Sequence, residues 1–287
     1  MPAGFVLDYL GPEHDRPGRS RGRSRLRSYV VCSTPRSGSG LLCRGLASTG
    51  VLGAPLEYLN IAHRGILSER WGCGADLGAY IAALHDRRSS PEGLFGIKVH
   101  WDQLVAAGAE AMGRTFDRFR WDVPDEVLSS LFPNPVFVRI IRLDLDRQAV
   151  SLWRAQQSDV WSIATTDESG PDGRQAPYSF TGIEQCRRSI EIGEACWTRL
   201  LRQAGVGPVI VTYEQLTSAF AQTVATVAHH VRPGISVDVA PPRTRVMADE
   251  HSVQLLERLL ADRRERVSAG GRQIAETPPA RGIRGAR

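Results

Sequence analysis

Lysine is almost missing from this 287-residue chain. It occurs once, as Lys98, and every other basic residue among the 36 is an arginine. Such a bias looks like a high-GC genome, in which arginine stands wherever either residue serves. A compact ammonium is not interchangeable with a guanidinium in a close-fitting site. The single lysine is therefore either a chance survivor or a residue kept for its shape. The dipeptide Gly-Lys does not occur at all. Its absence excludes the nucleoside-triphosphate loop, which needs Gly-x-x-x-x-Gly-Lys-Ser/Thr to cradle phosphates.

Other absences narrow the class further. No run of 18 apolar residues exists, and charged and polar residues stand where the apolar stretch of a secretory leader would sit, so neither a membrane span nor a signal is expected and the protein is expected in the cytoplasm. The five cysteines (Cys32, Cys43, Cys73, Cys186, Cys196) are odd in number and never fall as Cys-x-x-Cys, which suggests neither a disulfide framework nor zinc. They are expected to be reduced and mostly packed. Seven histidines include the pair His229-His230 but no His-Glu-x-x-His, so no metal is expected.

The positive charge is concentrated at one end. Residues 16–27, RPGRSRGRSRLR, hold six arginines, and without them the formal net charge falls from +5 to −1. A Gly/Pro/Ser/Arg segment of this kind can touch an anionic surface or remain a solvated tail. With the rest near neutral, no nucleic-acid partner is expected. We divide the chain into a flexible Arg-rich arm (1–27), one domain (28–270) and a flexible tail (271–287) that reads like the arm. At 42% hydrophobic residues the central part can bury a sizeable core.

Within that part, short β-branched runs at 29–32, 94–99, 136–141 and 209–211 read as strands. They alternate with helical patterns at 39–48, 77–84, 146–157, 182–204, 218–230 and 252–269. This order predicts an α/β fold: a three-layer α/β/α architecture with a central parallel sheet. Residues 158–179 are polar and aperiodic, long enough for a lid or substrate loop, and 53–90 has similarly weak periodicity.

Between the first strand and its helix lies Ser33-Thr34-Pro35-Arg36-Ser37-Gly38-Ser39. A small-residue loop ending at a helix N-terminus aims several N–H groups at one point, where the helix dipole also favours an anion. An ordinary capped turn would use the same residue types. A turn needs no guanidinium, however, whereas a tetrahedral oxyanion gains a planar charged donor from Arg36. A second anion site is readable in IIRLDLDRQAVSLWRAQQ (140–157), where Arg142 closes a strand and Ser151 lies on the next helix. A surface ion pair of Arg142 with Asp144 or Asp146 is the competing reading. Lys98 ends the strand run at 94–99, and His100 and Trp101 follow it, at the edge where ligands approach a parallel sheet. His100 and Trp101 there could contact a ligand by stacking or hydrogen bonding or, for Trp101, fill the core.

Three blocks then carry a resemblance: STPRSGSGLLCRGLASTGVLGAPLEYLN (33–60), FGIKVHWDQ (95–103) and RLDLDRQAVSLWRAQQSDVW (142–161). In this order they resemble the bacterial trehalose 2-sulfotransferase family. The resemblance runs over about 29–213 and implies a parallel α/β fold related to nucleotide kinases. It implies 3′-phosphoadenosine 5′-phosphosulfate (PAPS) as donor, a carbohydrate or glycoside hydroxyl as acceptor, and a homodimer. By it, Arg36, Ser37, Gly38, Ser39 and Gly40 hold the 5′-phosphosulfate, Arg142 with Ser151 the 3′-phosphate, and Glu57 is the base. On its residues alone, Glu57 could instead cap a helix starting near residue 58. A base suits transfer to an alcohol, which must lose its proton as it attacks sulfur, and Arg36 would neutralise the charge that develops. One departure is plain: Gly40 stands where the family has threonine, so one hydroxyl is missing. A nucleotide-binding module without turnover and an ATP-dependent phosphotransferase are the alternatives.

Overall fold

The computed structural model describes residues 10–16, 27–116, 126–161, 175–242 and 249–275. The arginine run at 17–26, the core of the 158–179 loop and the tail beyond 275 lie outside the described residues. Four strands form one parallel sheet: β1 (Arg27–Ser33), β2 (Leu94–His100), β3 (Pro135–Ile141) and β4 (Val209–Thr212). Their order is β2-β1-β3-β4. Between β1 and β2 come α1 (Ser39–Ser48), α2 (Ile61–Trp71) and α3 (Leu77–Arg88). Next are α4 (Trp101–Met112), α5 (Glu126–Leu131), α6 (Leu145–Ser158) and α7 (Phe180–Gln203). The chain ends with α8 (Tyr213–Ser218), α9 (Phe220–Val231) and α10 (Glu250–Ala275).

A parallel sheet covered on both faces needs apolar side chains on both, which is why its strands read as nearly continuous hydrophobic runs. Val30, Cys32, Ile97, Val99 and Phe137 face one layer, which contains Leu67, Tyr80, Leu104, Val127 and Trp197. Tyr29, Val31, Val138 and Ile140 face the other, against Leu42, Leu46, Val224 and Val227 of α1 and α9. The expected three-layer α/β/α arrangement is what forms. Outside it, Leu255 and Leu259 of α10 pack with Ala149, Leu152 and Ile190 of α6 and α7. Four of the five cysteines are buried, and no disulfide links them. Among the described residues no three His, Cys, Asp or Glu side chains gather as a metal site, and no helix is long and apolar enough to cross a membrane.

The helix expected at 77–84 forms as α3, and the weakly periodic segment 53–90 holds α2 besides it. One expectation is corrected: the whole of 1–27 is not a free arm, since Leu10 is buried and the Asp15 carboxylate lies 2.7 Å from the Arg88 guanidinium, a fully buried cation that requires a counter-charge.

The strand order fixes where a ligand can enter. From β1 the chain moves outward to β2 on one side and then to β3 on the other, so the connections after β1 and β3 diverge. In open α/β sheets such a switch point opens a crevice beyond the strand C-termini. Arg36 follows β1 and Arg142 follows β3, one on each lip of that crevice.

Candidate active site

The loop after β1 is held in an unusual shape. Arg36 has φ 65° and Gly38 φ 88°, both in the left-handed region. At Gly38 glycine is required twice over, since a β-carbon there would also lie 2.6 Å from Cδ2 of Tyr213. Arg36 adopts that region at a cost of about 1–3 kcal/mol, which the surroundings must hold in place. They do so from beneath. Thr34 Oγ1 donates to Glu194 Oε1 at 2.7 Å, while Gln148 Nε2 donates to Thr34 Oγ1 at 3.0 Å and to the Pro35 carbonyl at 2.8 Å. Arg139 completes the network through Glu194, and Trp197 Nε1 donates to the Ser33 carbonyl at 3.1 Å.

At its far end the loop runs into α1 with Gly38 as N-cap, which provides no side-chain acceptor, and no acidic residue stands in the first turn. The α1 amides thus keep their positive dipole end. The buried Ser37 hydroxyl has no hydrogen-bond partner among the described residues.

The two arginines converge. Arg36 Nε donates to Ser151 Oγ at 2.9 Å, and its terminal nitrogen donates to the Trp161 carbonyl. Arg142 donates to the Arg36 carbonyl at 3.4 Å and lies 4.4 Å from the centroid of the Tyr213 ring, while its Nε has no partner among the described residues. The competing surface ion pair does not form: Asp144 pairs with Arg147 at 3.0 Å, and Asp146 with Arg187 and Arg263. Burial, and after it the like charge of Arg142, pull the Arg36 guanidinium below its ordinary pKa. Burial lowers Arg142 as well. Two desolvated cations side by side favour an anion between them.

Glu57 stands on the other side of the loop. Its segment is strapped to the edge of the sheet by the Lys98 amide, which donates to the Leu56 carbonyl at 3.0 Å. That bond brings the Glu57 carboxylate onto the Lys98 ammonium, with His100 Nε2 at 3.4 Å and Gln103 Nε2 donating at 2.9 Å. Burial by itself would raise the carboxyl, but Lys98 and then His100 outweigh it and hold Glu57 well below the usual carboxylate range. The capping alternative is set aside, because α2 starts later and is capped by Asn60, whose side chain accepts from the Ala62 amide at 3.0 Å. Lys98 also reaches the loop. A β-carbon placed on Gly40 would be 4.0 Å from Lys98 Nζ and 3.8 Å from an Arg44 nitrogen, which is ordinary contact.

The structure therefore gathers Arg36, Ser37, Gly38, Ser39, Gly40, Arg142 and Ser151 at the switch point, with Glu57, Lys98 and His100 beside them. Trp101 is the exception. It is buried in the core, edge-on to Trp197 at 5.7 Å, so ligand contact is replaced by packing. Reading the sequence missed Gln103, Tyr213, Gln148 and Glu194. Only Gln103 carried a local signal, as the third residue of α4, where its Oε1 accepts from the His100 amide at 3.1 Å while its Nε2 holds Glu57.

The chain is 28% identical over 266 residues to a trehalose 2-sulfotransferase of Mycobacterium tuberculosis, covering 83% of this chain and 96% of that protein. It is 26% identical over 261 residues to the trehalose 2-sulfotransferase of Mycolicibacterium smegmatis, covering 82% and 95%. Among solved structures, a sulfotransferase domain from the curacin biosynthetic pathway aligns with 79% of this chain and 82% of its own, at 16% identity and a TM-score of 0.43. The profile of the Stf0 sulphotransferases matches residues 28–262, from the first buried strand to the last helix. Matched over most of its length, the chain belongs to the Stf0 sulfotransferase family.

Proposed function

We propose that this sulfotransferase moves a sulfuryl group from PAPS to a hydroxyl of a carbohydrate or glycoside, by direct in-line transfer. The observation that carries the reading is the convergence of Arg36 and Arg142 on one crevice, with the Glu57 carboxylate across the loop from them. The donor has phosphates at both ends of an adenosine. Arg142 and Ser151 suit its 3′-phosphate, which needs a charge and several donors. The uncapped first turn of α1 and the orphaned Ser37 hydroxyl suit the 5′-phosphosulfate. Arg36, in the loop between them, serves the charge shared by both. Glu57 accepts the proton that the alcohol loses.

Acceptor choice follows the relatives, both of which are named for trehalose, so that disaccharide leads the panel. Incubation with labelled PAPS and a set of disaccharides and glycosylated metabolites tests the reading. Glu57→Gln is expected to bind the nucleotide at least as tightly as wild type and to lose turnover by ~10² or more. Unchanged turnover removes Glu57 from the mechanism. Arg36→Ala is expected to weaken both donor binding and turnover. Arg142→Ala is expected to weaken binding of 3′-phosphoadenosine 5′-phosphate about ten- to hundredfold, the range for a lost charge-assisted contact. Equal wild-type affinity for nucleotides with and without the 3′-phosphate refutes the assignment of Arg142. The homodimer implied by the family belongs to the same proposal, and sedimentation equilibrium checks it.

A further inference from the structure

Lys98 occupies a position that the transfer chemistry alone does not require. Its ammonium is paired with Glu57, yet it also lies against the first turn of α1, at the edge of the space left by the missing side chain of Gly40. It is one point charge between two claims. A carboxylate holds it now, and an anion seated on the α1 N-terminus would compete for it. An ammonium on a four-carbon stem can turn between such partners, whereas the fixed fork of a guanidinium cannot do so as readily.

What surrounds the carboxylate makes the exchange productive. Glu57 has holders that do not move with Lys98: Gln103 Nε2 on α4 at 2.9 Å and His100 Nε2 on β2 at 3.4 Å. His100 is itself fixed, its Nδ1 lying 3.0 Å from Ser33 Oγ. On the α2 side, His63 Nδ1 is 3.0 Å from the Glu57 carbonyl rather than its carboxylate. The carboxylate therefore keeps its place when its main positive partner leaves.

We propose that Lys98 couples donor binding to activation of the base: the donor's 5′ anion draws the ammonium off Glu57, and only then is the carboxylate free to take the acceptor's proton. This rests on the PAPS reading above. In the step that follows, the alcohol O–H proton passes to Glu57 and the alcohol oxygen bonds to sulfur. The bond from sulfur to the bridging oxygen breaks, and its electron pair leaves on the 5′-phosphate, where Lys98 now stands. Without donor, Glu57 stays tied to Lys98 and no base is exposed.

The consequence can be read without any acceptor. Because Glu57 and the nucleotide compete for one ammonium, neutralising Glu57 must tighten nucleotide binding, and it must do so through Lys98. Titration calorimetry with 3′-phosphoadenosine 5′-phosphate on the full chain compares wild type, Glu57→Gln, Lys98→Gln and the double variant. Glu57→Gln is expected to bind about tenfold tighter and Lys98→Gln about tenfold weaker, the span of a partly buried charge contact. In the Lys98→Gln background the Glu57→Gln gain is expected to vanish. Unchanged affinity in Glu57→Gln overturns the proposal, and so does an equal gain with and without Lys98, which marks a general charge effect. If Lys98→Gln does not fold because Glu57 is left unpaired, Lys98→Met built on Glu57→Gln supplies the corner in which no charge is stranded. Failure of wild type to take up the bisphosphate refutes the donor reading itself, a different result from uptake without coupling.

Discussion

Gly40 and Glu57 show how a single position sets the properties of the crevice. Gly40 leaves the first turn of α1 without a side chain at the position where the resemblance implies threonine. The space is still there: a β-carbon would make only ordinary contacts, with Arg44 and Lys98, and no left-handed φ forbids one. Gly40→Thr is therefore expected to fold normally and to bind the nucleotide tighter by ~1 kcal/mol, about fivefold, through the added hydroxyl. Calorimetry with the bisphosphate nucleotide checks this, and unchanged affinity would mean that the hydroxyl finds no anion. Glu57 carries a pH signature. Its folded pKa lies below its ordinary value of 4.5, so the stability it contributes is fully present above that value and is lost as the pH falls through the lower, folded one. Denaturant melts of wild type and Glu57→Gln should differ at neutral pH and converge on acidification below the ordinary carboxylate range. A gap that stays constant would show that the carboxylate's charge is not what Lys98 and His100 stabilise.

Among the elements, those that present the site were legible where their signals were local. The strands and α1 announce themselves as β-branched runs and a helical leucine pattern, and Arg36 stands out because a turn has no use for it. By contrast α4 is capped by His100, an uncommon cap that works through Gln103, and so gives none of the usual Ser/Thr/Asp/Asn start. In α2, Ile61 is almost fully exposed, and Gly65 interrupts the middle of the helix, which blurs its apolar stripe. The braces under the loop could not be seen at all. Thr34 meets Glu194 across 160 residues, and no local spacing predicts such a contact. That brace also makes a prediction about α7. Arg139 is 7% exposed, and Glu194 is its acidic partner. Glu194→Ala is expected to destabilise the fold by about 2–4 kcal/mol, since it strands a buried cation and frees Thr34. It should also weaken nucleotide binding, because Arg36 then loses the support of its strained backbone. Urea unfolding with parallel titration of the nucleotide separates the effects, and a loss of stability with unaltered affinity would detach the brace from the site.

Over the whole molecule, one tie lies outside the region that the family profile matches. The profile begins at residue 28, yet residues 10–16 return to the helical layer between β1 and β2. The Asp15 carboxylate is 2.7 Å from Arg88, 3.6 Å from Arg70, and accepts from Trp71 Nε1 at 2.8 Å. Further bonds hold the segment, from Arg70 to the Leu10 carbonyl, from Arg88 to the Gly11 carbonyl at 3.4 Å and from the Arg16 amide to the Arg87 carbonyl. Arg88 ends α3 with a side chain wholly removed from water, over the rings of Tyr58 and Trp71 at 5.8 and 5.6 Å. A guanidinium so placed is sustained by its counter-charge, and here that charge comes from the stretch 1–27, expected to be a flexible arm. Asp15→Asn is expected to cost about 3 kcal/mol, the scale of breaking a buried pair from one side. Adding Arg88→Met should recover much of that loss, because an apolar stem can fill the same slot against Tyr58 and Trp71 with no charge left to compensate. Urea denaturation of the two single variants and the double one tests the tie. Additive losses would show that Asp15 and Arg88 do not depend on each other, whereas recovery in the double variant would establish that the segment before β1 works as the counter-ion of the helical layer.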